Sequence, residues 1–406
     1  MTKNAKTDWM SIIQLVFSLL VLLSFLGAAV LLAAAGNALS AVPELAGMNQ
    51  GSLTLLVCAF AALALLNLPS VVSSIGSLAG GGQRSRSEKK SGLLGWLPLA
   101  LFGAVLAGIA FLPQSMPRRE LLAALLATLG AVLPAIWLLR VGSGALWGKH
   151  AKRDAGLLSF SIGFTTYFIL VLELVLILVL GAGLAFAAAA SPSLLSNLGE
   201  LWRLLQSSGA DPEALRTSLM EFARSPLVLA LIFGMVALAL PALEEGFKTL
   251  GVWLLSDHKI SPAEGYVAGL FSGAGFALVE ALLNSAQLAG GSPAEWLTFL
   301  LGRFGGTLLH TFNGGVMGWA LANSWQDKRR GRTPGVFLLV LLVHALWNGA
   351  ALANVFLSGQ GESGLIGYLP MILLSAVLLV CFLLFSRRVH RSGLGEPENG
   401  PTLNVA

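Results

Sequence analysis

Apolar residues fill the chain in long unbroken runs, parted by short breaks of charged residues or of Gly, Pro and Ser. A helix needs about 20 mainly apolar residues to cross the hydrocarbon core of a bilayer. Ten runs meet that need, at approximately 10 to 35, 52 to 78, 92 to 112, 120 to 141, 157 to 190, 226 to 255, 263 to 288, 295 to 323, 335 to 357 and 364 to 386. The pattern predicts an all-α polytopic membrane protein with about ten transmembrane helices. The first run is too long for a secretory signal and shows no early cleavage pattern, so it reads as a retained span. The fifth is overlong and is expected to tilt or to surface at its Ala-rich end.

Residues 191–225, the longest stretch outside the runs, contain two helix starts, Ser191-Pro192 and Asp211-Pro212. Each opens an amphipathic run: Leu194, Leu195, Leu198, Leu201, Trp202 and Leu205, then Leu215, Leu219 and Phe222. This reads as an extracytoplasmic helical hairpin lying on the membrane surface, with a cap or substrate gate as the second reading. Four regions follow: five spans over 1–190, the hairpin over 191–225, a membrane core with the last span over 226–386, and a cytoplasmic tail over 387–406. Residues 80–91 read as a cytoplasmic Gly/Ser/basic linker, and the end of the tail, 391–406, as disordered.

Charge gives the expected orientation. Only 11% of residues are charged against 56% hydrophobic, with mean hydropathy +0.80, which leaves too few charges to cover a water-facing surface. The composition excludes a disordered chain, a nucleic-acid-binding domain and a disulfide scaffold; the net charge of +5 comes from basic residues flanking the runs. With the N-terminus inside, 18 of the 25 Lys and Arg fall in cytoplasmic segments and 5 outside, which fits an even number of spans with both termini in the cytoplasm. Arg118 and Arg119 are the local exception. Cys58 and Cys381 lie in separate apolar runs and read as packing residues.

An ionisable side chain at mid-bilayer costs several kcal/mol, so each one inside a span is a candidate functional residue. They gather in one block. Span six carries Glu244, Glu245 and Lys248, span seven Glu280, span eight Arg303 and His310, and span nine His344. By fractional position along their spans, Glu244, Glu280, His310 and His344 fall at similar depth, which predicts a site in the four-helix core of spans six to nine. Glu244 and Lys248 stand at i and i+4 and are expected to share a helix face and pair. Arg303 reads as the counter-ion of a glutamate, and Asn284 and Gln287 as interhelical hydrogen-bonding residues. Gly265, Gly269 and Gly273, and Gly314 and Gly318, repeat every fourth residue, a pattern that lets helix backbones close up.

Taken in order, Glu244-Glu245-x-x-Lys248, Phe276-x-x-x-Glu280, His310-x-x-x-Gly314 and His344-x-x-x-Asn348 stand on four successive spans. This resembles the PrsW family of intramembrane endopeptidases, related to the CAAX-processing and bacteriocin-processing membrane proteases and more distantly to the APH-1 scaffold of gamma-secretase. The resemblance covers about residues 226 to 357. It implies hydrolysis of peptide bonds within or near the membrane, with Glu244 as general base, Glu245 and Lys248 orienting it, His310 and His344 polarising water or the scissile carbonyl, and Asn348 supporting the oxyanion. Where the CAAX-type relatives have His, this chain has Glu280, whose role stays open between second carboxylate, metal ligand and partner of Arg303.

Two schemes suit these residues. In one, Glu244 in low dielectric acts on a positioned water with no cofactor. In the other, Glu244, His310 and His344 hold zinc or another divalent metal with one position open. The partners implied are the lipid bilayer and a single-span or lipid-anchored protein substrate, by family theme a regulator such as an anti-sigma factor, with no nucleic acid. Loop charge and length suit a bacterial cytoplasmic membrane. A proton-coupled carrier and a non-catalytic scaffold of the APH-1 type are the competing readings.

Overall fold

The computed structural model describes residues 8–40, 50–80, 93–113, 116, 118–189, 191–207, 212–258, 260–327, 332–358 and 365–393. The linker expected over 80–91, apart from Gly80, and the tail beyond 393 lie outside the described residues. Every described element is helical: α1 (Trp9–Ser40), α2 (Gln50–Leu78), α3 (Leu97–Ala110), α4 (Arg119–Ser143), α5 (Ala151–Phe160), α6 (Thr166–Ala189), α7 (Pro192–Gln206), α8 (Pro212–Ala223), α9 (Pro226–Phe233), α10 (Leu240–Phe247), α11 (Leu250–Trp253), α12 (Pro262–Asn284), α13 (Pro293–Asp327), α14 (Arg332–Ser358) and α15 (Leu369–Gly393), with short 3-10 turns between some. π-helical turns join α5 to α6 at Ser161–Thr165 and α9 to α10 at Gly234–Ala239.

Helices form on all ten apolar runs, and eight are long and apolar enough to cross a membrane. The third run gives only the 14-residue α3, because its first residues turn before Pro98 opens the helix. The eighth gives the 35-residue α13, whose Arg303, Thr307, His310, Thr311 and Asn313 dilute its apolar character. The overlong fifth run is one continuous helical stretch, Ala151–Phe186, interrupted only in register by its π turn.

The chain forms two compact units. The first holds residues 1–166, 248–336 and 375–406; the second holds 167–247 and 337–374.

At the centre of the first unit is α12, with 89% of its apolar window buried. Its start is fixed by a capping box: Ser261 accepts from the Glu264 amide while the Glu264 carboxylate accepts from the Ser261 amide, and Pro262 stands at the first helical position. Its glycines then set how close α13 comes. A methyl group on Gly269 would lie 2.0 Å from the Gly314 carbonyl oxygen, one on Gly273 2.2 Å from that of His310, and one on Gly318 2.2 Å from that of Gly265. Backbone therefore meets backbone along the crossing, as small-residue seams in membranes allow. On another side, α1, α2 and α5 are joined by buried hydroxyls and amides: Ser18 to Ser70 at 2.7 Å, Ser159 to Asn67 at 2.6 Å and Gln14 to Ser70 at 3.0 Å. Between helices with apolar exteriors, such bonds and close packing replace the hydrophobic drive that water supplies to soluble bundles.

In the second unit, α6 turns most of its apolar surface outward, with Leu178 and Val179 about three-fifths exposed, as befits a lipid-facing helix. Two helices, α7 and α8, form in the stretch where the hairpin is expected. Leu198 and Phe222 pack with Leu184 and Ile232 around the buried Val228, while Leu195, Trp202 and Leu205 are exposed. Phe233 stacks on Phe356 at 6.1 Å, and Phe168 meets Phe247 edge-on at 5.4 Å.

The glycine seam predicts a graded response to added methyl groups. Gly269→Ala should destabilise the protein by about 1–3 kcal/mol, because a backbone carbonyl cannot step aside as a side chain can. Gly306→Ala, on α13 where the methyl meets nothing within 4 Å, should be neutral or slightly stabilising. Thermal unfolding in detergent checks the pair.

Candidate active site

The charged residues of spans six to nine divide between the two units, and each group has its own internal geometry. In the second unit the group is built on α10 and α14. Pro241 has no N–H and crowds the carbonyl four residues before it, so the helix cannot run through in ordinary register. The π turn at Gly234–Ala239 absorbs that defect. A π-helical bond from the Val236 carbonyl would need the missing N–H of Pro241; instead Asn348 Nδ2 on α14 donates to that carbonyl at 2.9 Å. One turn earlier on α14, His344 is buried, with Nδ1 2.8 Å from Glu245 Oε1 and Nε2 3.7 Å from Glu244 Oε2. Glu245 is fully buried; Glu244 keeps some exposure. The two adjacent glutamates thus address the two nitrogens of one imidazole.

In the first unit the group is built on α12, α13 and the turn after α10. The helix stops at Phe247, and Lys248 and Thr249 form a turn before α11. The break coincides with a competing donor, Ser272 Oγ, which bonds the Lys248 carbonyl and draws it from the helical ladder. Lys248 is fully buried, with Nζ 3.3 Å from His310 Nδ1 and 6.0 Å from the Phe276 ring centre. His310 lies 4.9 Å from Phe276 between ring centres, and its Nε2 is 3.0 Å from Glu280 Oε2. The other oxygen, Oε1, accepts from Arg303 Nη1 at 2.8 Å. Lys248, His310, Glu280 and Arg303 therefore form one unbroken line of donors and acceptors. Gly314 lies in the glycine seam, one turn along α13 from His310.

A model of the PrsW family of intramembrane metalloproteases matches residues 173–381, just over half of the chain. The chain belongs to the PrsW family. It is therefore a membrane-embedded peptide hydrolase, which displaces the carrier and scaffold readings. No curated protein and no solved structure matches it. The PrsW match extends past the motif-bearing spans: it begins at Glu173 in α6 and ends at Cys381 in α15, segments whose sequences carry apolar character but no distinctive polar spacing.

Within the units the structure joins Glu244, Glu245 and His344 in one group and Lys248, Phe276, Glu280, Arg303 and His310 in the other. Asn284 and Gln287 bond each other at the end of α12, Gln287 Nε2 donating to Asn284 Oδ1 at 3.3 Å. Sequence reasoning did not pick out Ser272 or the Val236 carbonyl. For Ser272 the spacing held a clue, since it sits one turn before Phe276 and two before Glu280. For Val236 the clue was Pro241 inside an apolar run.

If Asn348 anchors the π turn, Asn348→Leu should lower the unfolding midpoint, at a cost of about 1–3 kcal/mol for the uncovered carbonyl. Asn348→Asp, which cannot donate from its side chain when ionised, should do no better. Unfolding of both variants in detergent tests this.

Proposed function

We propose that the chain cleaves membrane-anchored proteins, single-span or lipid-anchored, using a water activated by Glu244 together with His310 and His344. The observation that carries this reading is that each imidazole has one nitrogen on a carboxylate: His344 Nδ1 on Glu245 and His310 Nε2 on Glu280. Hydrolytic sites use that arrangement to fix which ring nitrogen offers its lone pair, whether to a proton or to a metal.

The same donor set fits a divalent metal. Two buried imidazoles, each oriented by a second carboxylate, and the carboxylate of Glu244 make the three-ligand set of a site with an open position, and Glu244 Oε2 already lies 3.7 Å from His344 Nε2. Glu244, His310 and His344 would hold the ion, which when bound would polarise the scissile carbonyl and lower the pKa of water to about 7. A carboxylate has two oxygens, so Glu244 can bind through one and take a proton at the other. As the water oxygen adds to the carbonyl carbon, Glu244 accepts its proton, then returns it to the amide nitrogen as the C–N bond breaks. Asn348 spends one amide hydrogen on Val236; its second is assigned to the oxyanion. Orientation follows the loop charges: both termini cytoplasmic, in a bacterial inner membrane, with a membrane-held regulator as the substrate type.

Glu244→Gln, expressed at the level of wild type, should lower release of substrate fragments by at least about 10²-fold, the usual worth of a positioned acid–base group. New N-termini and shed fragments in host cells are the readout. Equal release from the variant would remove Glu244 from the chemistry. Purified protein should hold one metal per chain and lose cleavage on chelation, with return on re-addition. Full activity in a metal-free preparation would leave Glu244 as a base acting without an ion.

A further inference from the structure

We infer that Lys248 and the metal compete for one atom, His310 Nδ1, and that Glu280 is the positioning residue that makes this atom the available one. The inference rests on the metal reading of the site and deepens it.

Glu280 uses one oxygen for Arg303 and the other for His310 Nε2, at 2.8 and 3.0 Å. A carboxylate held by an arginine is an acceptor, so the ring proton sits on Nε2 and the lone pair on Nδ1. The group at Nδ1 is the Lys248 ammonium, 3.3 Å away, which has donors only. Donor therefore meets acceptor at both ends of the ring. A ring nitrogen has a single lone pair and gives it either to an N–H or to a metal, not to both. Loading His310 with a metal through Nδ1 must displace the ammonium from that contact, while the bond to Glu280 stays in place as the carboxylate support that ligating histidines ordinarily have. The local cation changes from a side chain to an ion, and the buried imidazole is satisfied in either state.

Neither Lys248 nor Glu280 is a ligand in this scheme, and their substitutions should move metal affinity in opposite directions. Co²⁺ serves as the probe, titrated into purified chelator-stripped protein and followed by its visible absorption bands, with the unfolding midpoint confirming that each variant is folded. Lys248→Met keeps length without charge and should bind Co²⁺ roughly tenfold more tightly than wild type, because no charged hydrogen bond is lost on loading. Lys248→Arg retains the competing donor and should not show the gain. Glu280→Gln should bind about 10- to 100-fold more weakly, since an amide no longer fixes the proton on Nε2. Equal or weaker binding by a folded Lys248→Met overturns the competition while leaving the metal reading in place. A wild-type protein that takes up no Co²⁺ overturns both. A measurement on wild type alone covers the case of a variant that does not fold: ¹⁵N spectra of the five histidines without metal should show His310 protonated at Nε2, and protonation at Nδ1 instead overturns the inference.

Discussion

The bare-backbone crossing of α12 and α13 is the constraint on which the first unit depends. Gly269, Gly273, Gly314 and Gly318 leave no room for a methyl group, so two helices that both carry ionisable residues stand closer than side chains normally permit. That closeness has a chemical consequence. The carbonyl of His310 itself lies against Gly273, three residues before Phe276 and seven before Glu280. The contact that packs the helices thereby fixes the height of His310 against the residues it works with. A seam of larger side chains would hold the axes apart and lengthen the 3.0 Å approach of the ring to the carboxylate.

Charges in such a place survive only in company. A lone ion in a low-dielectric interior loses several kcal/mol of hydration, and mutual attraction repays that only where geometry is good and the remaining donors and acceptors are met. Lys248 and Glu245 are both fully buried. Lys248 faces an imidazole nitrogen and an aromatic ring; Glu245 faces an imidazole nitrogen. Arg303 and Glu280, less deeply buried, take each other. In each unit a buried imidazole has a carboxylate within hydrogen-bonding distance of one nitrogen. The arrangement is costly as a means of stability, since apolar residues of similar volume would pack there without the desolvation penalty. A membrane-embedded peptide hydrolase, however, needs ionisable groups within the membrane.

Much of this was legible in the chain. Apolar run length located the helices because a bilayer sets a minimum length, and the charged block stood out because the hydrocarbon core tolerates so few charges. The glycine spacing of 265, 269 and 273 named the tight crossing before any coordinates. What the sequence hid were departures from regular helix. Lys248 at i+4 from Glu244 implied a continuous helix, but the helix ends between them, where a serine on another span bonds the Lys248 carbonyl. No local pattern reveals a bond from 24 residues away. Likewise Asn348 looked free for catalysis from its spacing to His344, whereas a carbonyl exposed by Pro241 on another helix takes one of its hydrogens. Both surprises are backbone acceptors, which carry no residue identity, so the sequence marks them only indirectly, through the spacing of Ser272 and through Pro241.

The helix break also gives the motif Glu244-Glu245-x-x-Lys248 its meaning. Its two carboxylates belong to one compact unit and its ammonium to the other. The turn at Lys248 and Thr249 ends α10, and from that turn the ammonium reaches His310 Nδ1 at 3.3 Å. One short motif can then serve two imidazoles with opposite demands, supplying carboxylates to His344 and a donor to His310. A contiguous polar motif thus spreads its contacts across a helix end, the carboxylate of Glu245 meeting His344 from the helix and the ammonium of Lys248 meeting His310 from the turn that follows.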